Sequence, residues 1–498
     1  MYFRKMIKRI FFLLVVLNSF FGIKAQNDSI SEKLTWFADA KLGIFIHWGI
    51  YAVEGTSESW SFHNRTTTYP YYMSQLKGFT AKNYQPTQWA KLIKESGANY
   101  CVMTTQHHDG VALWDTKQVT PSTPYSLSKD EPISPQKPLW NVKKPLSTVY
   151  QTPAKRDLIT PFVEALRAEN IKFGAYYSLL DWSHNDYNGF FKDQSRYKIL
   201  DDTIRWHRFL AFMHHQITEI NTTFKPDLYW FDGDWEHTEA EWNAPKIQQL
   251  ITTTNPNAII NGRLKSFGDY DTPEQNMPIV RPKSKVWELC LTSNDNWGYR
   301  PTDKNMKTCN EVLQIFTECI GSGGNLLLDI GPKEDGTIPQ EQVDLLKAIG
   351  RWTNKHQEAI YGSRAGLPYG HFHGPSTLSK DSTIVYLFLT SISKDTVTTD
   401  KYITEAELNE LKKEAIILTE TPKIRLQLKG LMNEIETIEV IGSTEKIPYK
   451  IVGKIDWSYV PGTVYIDVPS STLDPEISVV KIKLKSPLKL YRGVGGFH

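Results

Sequence analysis

Tyr229-Trp230-Phe231-Asp232-Gly233-Asp234-Trp235 decides the reading of this chain. An apolar strand that ends in a carboxylate and then a glycine is costly to bury without a purpose, because a desolvated charge needs a partner. Asp232 is open to three roles, as a nucleophile, a metal ligand or a cap for the following helix, and Asp234 is a second capping candidate. Similar short runs recur on both sides, at Leu42–His47, Tyr100–Thr105, Lys172–Ser178, Ala258–Asn261, Val286–Leu291 and Asn325–Ile330. They are continuously apolar rather than alternating, which suits parallel strands covered on both faces. Helical patterns at Ala90–Ser96, Leu158–Glu169 and Thr203–Ile220 lie between them. This alternation predicts an α/β fold, a (β/α)8-like barrel over residues 26–362.

The runs end alike, in His47, His107 with His108, Tyr177, Asp232 and Arg263. In a parallel barrel these ends share one face, where barrel enzymes keep their chemistry. Between Thr120 and Pro153 seven prolines interrupt any periodicity. The insert follows the second strand and reads as a rim, with Tyr125, Trp140 and Tyr150 as candidate contacts, or as a structureless insertion. Beyond Gly362 the pattern changes to alternating, β-branched runs at Thr383–Thr390, Lys423–Lys429, Thr437–Ile441, Thr463–Val468 and Val479–Leu484. These predict a C-terminal all-β sandwich over 363–498.

Residues 1–25 read as a signal peptide: Arg4, Lys5, Lys8 and Arg9, then the apolar run Ile10–Leu17, then Ala25. No cysteine follows that run to suggest a lipid anchor. Export to a periplasm or the exterior of a bacterial cell is the expectation. Cleavage removes five of the 57 basic residues and leaves 52 against 55 acidic, about −3, so no basic stripe argues for nucleic acid or an anionic membrane. Homo-oligomerisation is left open. Cys101, Cys290, Cys309 and Cys319 form no CxxC pair, so a zinc site is not indicated, and their pairing is open. Cys101 and Cys290 lie in apolar runs and read as small buried hydrophobes. Aromatic residues make up 12% of the chain, which suits either sugar docking or a large aromatic core.

A carboxylate at a strand end invites comparison with glycoside hydrolysis, in which two carboxyl groups flank the scissile bond. Two partners for Asp232 are available. Glu274 lies in Asp269-Tyr270-Asp271-Thr272-Pro273-Glu274, a loop able to reach over a sugar. Glu288 lies in the strand Val286-Trp287-Glu288-Leu289, where shielding would raise its pKa. Loop position slightly favours Glu274.

Further motifs carry a resemblance. Leu42-Gly43-Ile44-Phe45-Ile46-His47-Trp48-Gly49, Thr105-Gln106-His107-His108-Asp109-Gly110, Trp230-Phe231-Asp232-Gly233 and Trp287-Glu288 with Trp297-Gly298-Tyr299 stand in that order. Asn325-Leu326-Leu327-Leu328-Asp329-Ile330-Gly331-Pro332 follows, then Asp335-Gly336-Thr337-Ile338-Pro339. From about residue 35 to 362 the series resembles the α-L-fucosidases of glycoside hydrolase family 29. The resemblance implies a retaining exo-hydrolase of terminal α-L-fucose on fucosylated glycans, with no metal and no organic cofactor. It implies Asp232 as nucleophile and Glu274 as acid/base, with Glu288 as rival, and a fucose pocket lined by His47, His107, His108, Tyr177, Trp230 and Arg263. Glu58 of Ser57-Glu58-Ser59-Trp60 matches a sugar-binding Glu only in part, because the usual Glu-Trp-Tyr run is altered. The longer stretch between Val119 and Thr152 bears on specificity toward the leaving group. The competing readings are a metal-dependent hydrolase built on His107, His108, Asp109, Asp232 and Asp234, and a non-catalytic fucose-binding protein.

Overall fold

The computed structural model describes residues 30–121, 139–282, 284, 286–390 and 423–493. The expected signal peptide and Tyr125 lie outside them. Seven parallel strands form one curled sheet: β1 (Leu42–Ile46), β2 (Tyr100–Gln106), β3 (Lys172–Ser178), β4 (Leu228–Asp232), β5 (Ile259–Ile260), β6 (Glu288–Thr292) and β7 (Asn325–Ile330). Their spatial order is β5-β4-β3-β2-β1-β7-β6. All seven correspond to runs read from sequence, with no end moved by more than two residues.

The sheet curls around an interior built from alternate residues. Phe45, Tyr100, Val102, Tyr176, Leu228, Trp230, Ile259, Cys290 and Leu327 pack inside it. Phe173, Ala175, Tyr177, Tyr229 and Phe231 face the surrounding helices. Gly43 is required by this packing, because a Cβ there would stand 2.4 Å from the Tyr100 ring. The lower end is plugged by α1 (Glu32–Ala40), whose Phe37 ring lies 5.3 Å from Tyr100 and 4.5 Å from Tyr270.

The gap between β5 and β6 is spanned by residues 269–275. Asp269 N–H donates to Ile260 O on one side, while Glu288 N–H donates to Asp271 O and Gln275 N–H to Cys290 O on the other. This irregular segment occupies the place of an eighth strand and carries Glu274 beside β6.

Helices α2 (Pro86–Glu95), α3 (Thr160–Ala168) and α4 (Thr203–Thr223) cover the outer face. The first begins four residues earlier than expected because Pro86 takes a first-turn position, where a missing N–H costs nothing. Beyond residue 362 the strands are antiparallel. One sheet joins β8 (Arg364–Ala365), β9 (Ser376–Leu378), β10 (Ile384–Leu389), β15 (Ser478–Leu484) and β12 (Ile435–Val440), in that spatial order. A second places β14 (Thr463–Pro469) between β11 (Lys423–Lys429) and β13 (Tyr449–Val452). Val385, Leu387, Leu428, Val464, Ile466, Val480 and Ile482 share the core of this region. It seats on α5 (Gln340–Lys355), where Trp352 Nε1 donates to Ile477 O at 2.8 Å. Among the described residues no helix is long and apolar enough to cross a membrane.

Candidate active site

Asp232 ends β4 on the same face as Leu228 and Trp230, so the strand's alternation aims it along the barrel axis. Gly233 follows at φ 91°, a left-handed turn that suits glycine, and a Cβ there would stand 2.3 Å from Leu180 Cγ. The carboxylate is mostly enclosed. Its Oδ1 accepts from Arg263 Nη1 at 2.8 Å and its Oδ2 from the Tyr176 hydroxyl at 3.0 Å. Arg263 turns its other nitrogen to Glu274 Oε2 at 2.6 Å and lies over the Trp230 ring, 4.4 Å from its centroid. Burial alone would weaken its charge, but Asp232 and Glu274 outweigh that and hold its pKa above the ordinary value. One guanidinium therefore joins both candidate carboxylates at the C-terminal mouth of the sheet.

Three imidazoles floor the same cavity. His47 Nδ1 lies 2.7 Å from Asp329 Oδ1, His107 Nδ1 meets Ser59 Oγ, and His108 Nδ1 lies 2.6 Å from Ser178 Oγ. Burial pushes all three well below the usual histidine range, so they are neutral near pH 7. Burial likewise pushes Asp329 up, with Glu58 adding to the effect. Neutral imidazoles can accept as well as donate, which suits the hydroxyls of a sugar better than a row of cations would. Apolar surface completes the cavity: Trp297 tilts onto His47 at 5.0 Å, and Tyr176 stacks on Trp230 at 5.7 Å.

The alpha-L-fucosidase family model matches residues 21–358. A tissue alpha-L-fucosidase from Mus musculus is 31% identical over 364 residues, 66% of this chain and 72% of the relative. The Homo sapiens tissue alpha-L-fucosidase is 31% identical over 362 residues, 66% of this chain and 69% of its own. The chain belongs to the alpha-L-fucosidase family. Among solved structures, alpha-L-fucosidase isoenzyme 1 from Paenibacillus thiaminolyticus superposes with TM-score 0.71 at 27% identity, covering 91% of this chain and 99% of that one. A Bacteroides thetaiotaomicron alpha-L-fucosidase shares the fold, with TM-score 0.71 at 24% identity over 94% and 98% of the two chains.

As an alpha-L-fucosidase family member the chain is a glycoside hydrolase. Of the residues read from its sequence, Asp232, Glu274, Arg263, Trp230, His47, His107 and His108 converge on one cavity. Glu58 is buried nearby; its Oε1 accepts from Gly298 N–H at 2.7 Å, and burial pushes its pKa up to about 7. Tyr177 is a correction. Its hydroxyl donates to Gln216 of α4 at 2.8 Å, on the helix side, and Tyr176 takes the place beside Asp232. Adjacent strand residues face opposite ways, so only one of the two tyrosines can enter the cavity.

Glu288 starts β6, at the far end from the mouth, and is fully buried. Its two oxygens accept from Trp230 Nε1 at 2.9 Å and the Tyr100 hydroxyl at 2.6 Å, and burial pushes its pKa up to about 7. The proposed metal constellation is not brought together: Asp109 is bound to the Tyr72 hydroxyl and Val111 N–H, and Asp234 to Lys265 N–H. Asp234 is thus a tie to the loop after β5 rather than a helix cap. Trp140 is half-buried against the outer core, and Tyr150 lies under Lys144. Two residues absent from the sequence-based set stand beside it: Trp60, 5.3 Å from His108, and the half-exposed Trp235 stacked on Trp60 at 6.3 Å. Trp235 is in the deciding motif itself, but nothing in the sequence tells a rim tryptophan from a core one. All four cysteines are unpaired, and Cys101 and Cys290 are buried as expected.

Proposed function

We propose that this protein is an exo-acting retaining α-L-fucosidase in which Asp232 attacks the anomeric carbon and Glu274 serves as acid/base. The observation that carries the reading is the shared guanidinium of Arg263, with 2.8 Å to Asp232 and 2.6 Å to Glu274. Retaining pairs stand about 5–5.5 Å apart and inverting pairs about 6.5–9.5 Å. Two carboxylates gripped by adjacent nitrogens of one planar fork favour the shorter spacing.

Asp232 attacks while Glu274 gives its proton to the leaving oxygen; Glu274 then takes a proton from water, which releases fucose with its configuration kept. A general acid must carry a proton, so Glu274 has to leave Arg263 as substrate enters. Its side chain is 42% exposed and its one ion pair among the described residues is to Arg263, so solvent gives it room to turn away, whereas Asp232, at 12%, is enclosed. Export rests on the basic-then-apolar leader alone.

Azide rescue separates the two roles. Asp232→Gly with azide and an aryl α-L-fucoside is expected to give β-L-fucosyl azide, by direct attack in the space left. Glu274→Ala with azide is expected to give the α-azide, by attack on the fucosyl-enzyme. No product from the first variant, or the β-azide from the second, would overturn the assignment.

A further inference from the structure

We infer that Ser178 is a positioning residue that locks His108 in the tautomer with hydrogen on Nδ1, so that Nε2 presents a bare lone pair to a substrate hydroxyl beside Asp232. The inference rests on Asp232 being the nucleophile only for its kinetic consequence; the tautomer itself follows from contacts.

Ser178 Oγ is 2.6 Å from Leu180 O and 2.6 Å from His108 Nδ1. The hydroxyl has one hydrogen. A carbonyl oxygen cannot donate, and two oxygens at that distance repel unless a hydrogen lies between them. The hydroxyl hydrogen therefore goes to Leu180, and the contact with His108 is satisfied only if Nδ1 donates to Oγ. His108 is fully enclosed and held neutral by burial, then by the nearby His63, His47 and Arg263, so it carries a single ring hydrogen. With that hydrogen on Nδ1, Nε2 has none. Nε2 is buried without a hydrogen-bond partner and lies 3.7 Å from Asp232 Oδ2. The ring cannot turn over to exchange its nitrogens, because Trp182 at 4.9 Å, Trp60 at 5.3 Å and His107 at 4.2 Å enclose it.

The lock matters because the other tautomer would point an N–H at Asp232. That carboxylate already accepts from Arg263 and Tyr176. An N–H aimed at it from 3.7 Å would compete with the two donors that set its aim. It would also turn the unpartnered acceptor at Nε2 into a donor. With the lock in place, a sugar hydroxyl set against Nε2 can donate to the imidazole, a bond that the Nε2–H form does not allow.

The test is the ¹⁵N spectrum of histidine-labelled full-length protein at neutral pH, with His108 assigned by its loss in His108→Gln. The wild type is expected to show His108 as neutral, with hydrogen on Nδ1. Ser178→Ala should move it toward the Nε2–H form and lower kcat/KM on an aryl α-L-fucoside at least tenfold, with KM raised as well as kcat lowered. Ser178→Thr, which keeps the hydroxyl, should restore both spectrum and rate. A wild-type His108 with hydrogen on Nε2 or on both nitrogens overturns the inference without any variant. So does Ser178→Ala with unchanged kinetics, or with kcat lowered at unaltered KM and tautomer, the mark of a merely structural loss. If the azide experiment instead fails on Asp232, the spectrum still stands and only the kinetic reasoning falls.

Discussion

Asp232 owes its aim to two donors, Arg263 on one oxygen and Tyr176 on the other. A hydrogen bond to a charged group contributes about 1.5–3 kcal/mol, so Tyr176→Phe is expected to lower kcat/KM about 10- to 100-fold, since each 1.4 kcal/mol is tenfold. Tyr177→Phe loses only a bond to Gln216 and should cost about 1 kcal/mol of stability with kinetics unchanged. Steady-state kinetics and melting curves on the pair check this, and equal kinetic losses would refute the placement of the two rings. The sequence could not separate these tyrosines. β3 is apolar on both faces, so its alternation leaves no polar trace from which to read direction. The strand-end residues His47, Asp232 and Arg263 were legible because a polar group at the end of a buried run has few structural uses. Tyr176 reads as one more core aromatic.

At the scale of elements, the span 269–275 explains why one glutamate reaches the mouth and the other does not. Glu274 leaves the barrel wall beside Cys290, midway along β6 and closer to the mouth, while Glu288 opens that strand. Glu288 holds the Trp230 indole and the Tyr100 hydroxyl from below. Glu288→Ala should therefore strand two buried donors over a new void and destabilise the protein by about 3 kcal/mol or more. Activity lost in this variant should not return with azide; recovery would restore Glu288 as acid/base. The seven strands and the C-terminal β runs were legible from their apolar and alternating patterns. The closing span was not, because Asp271-Thr272-Pro273 reads as a turn and Pro273 has no N–H to donate. Its pairing becomes visible only once β5 and β6 are in place. The strands β8, β9 and β13 were missed because they are only two to four residues long.

Across the whole molecule, the buried polar floor carries a stability cost that depends on pH. Burial raises Glu58 to about 7. Between its unfolded value near 4.5 and 7 the folded protein binds more protons than the unfolded chain, so stability falls as pH rises through that window. The three depressed histidines act the other way: stability falls as pH drops below about 6.5, where the unfolded chain takes up their protons. Glu58→Gln keeps an acceptor for Gly298 and removes the first effect alone. Its melting temperature relative to wild type should therefore rise from pH 5 to pH 8, and a difference that stays flat would show that Glu58 is ionised throughout. The kinetic predictions presuppose that the cavity performs displacement by Asp232. The most direct test is peptide mass spectrometry after reaction with 2-deoxy-2-fluoro-L-fucosyl fluoride. One fluorofucosyl adduct is expected on the peptide containing Asp232, lost when the enzyme turns over; an adduct on Glu274 or another residue, or inactivation with none, would overturn Asp232 as the nucleophile.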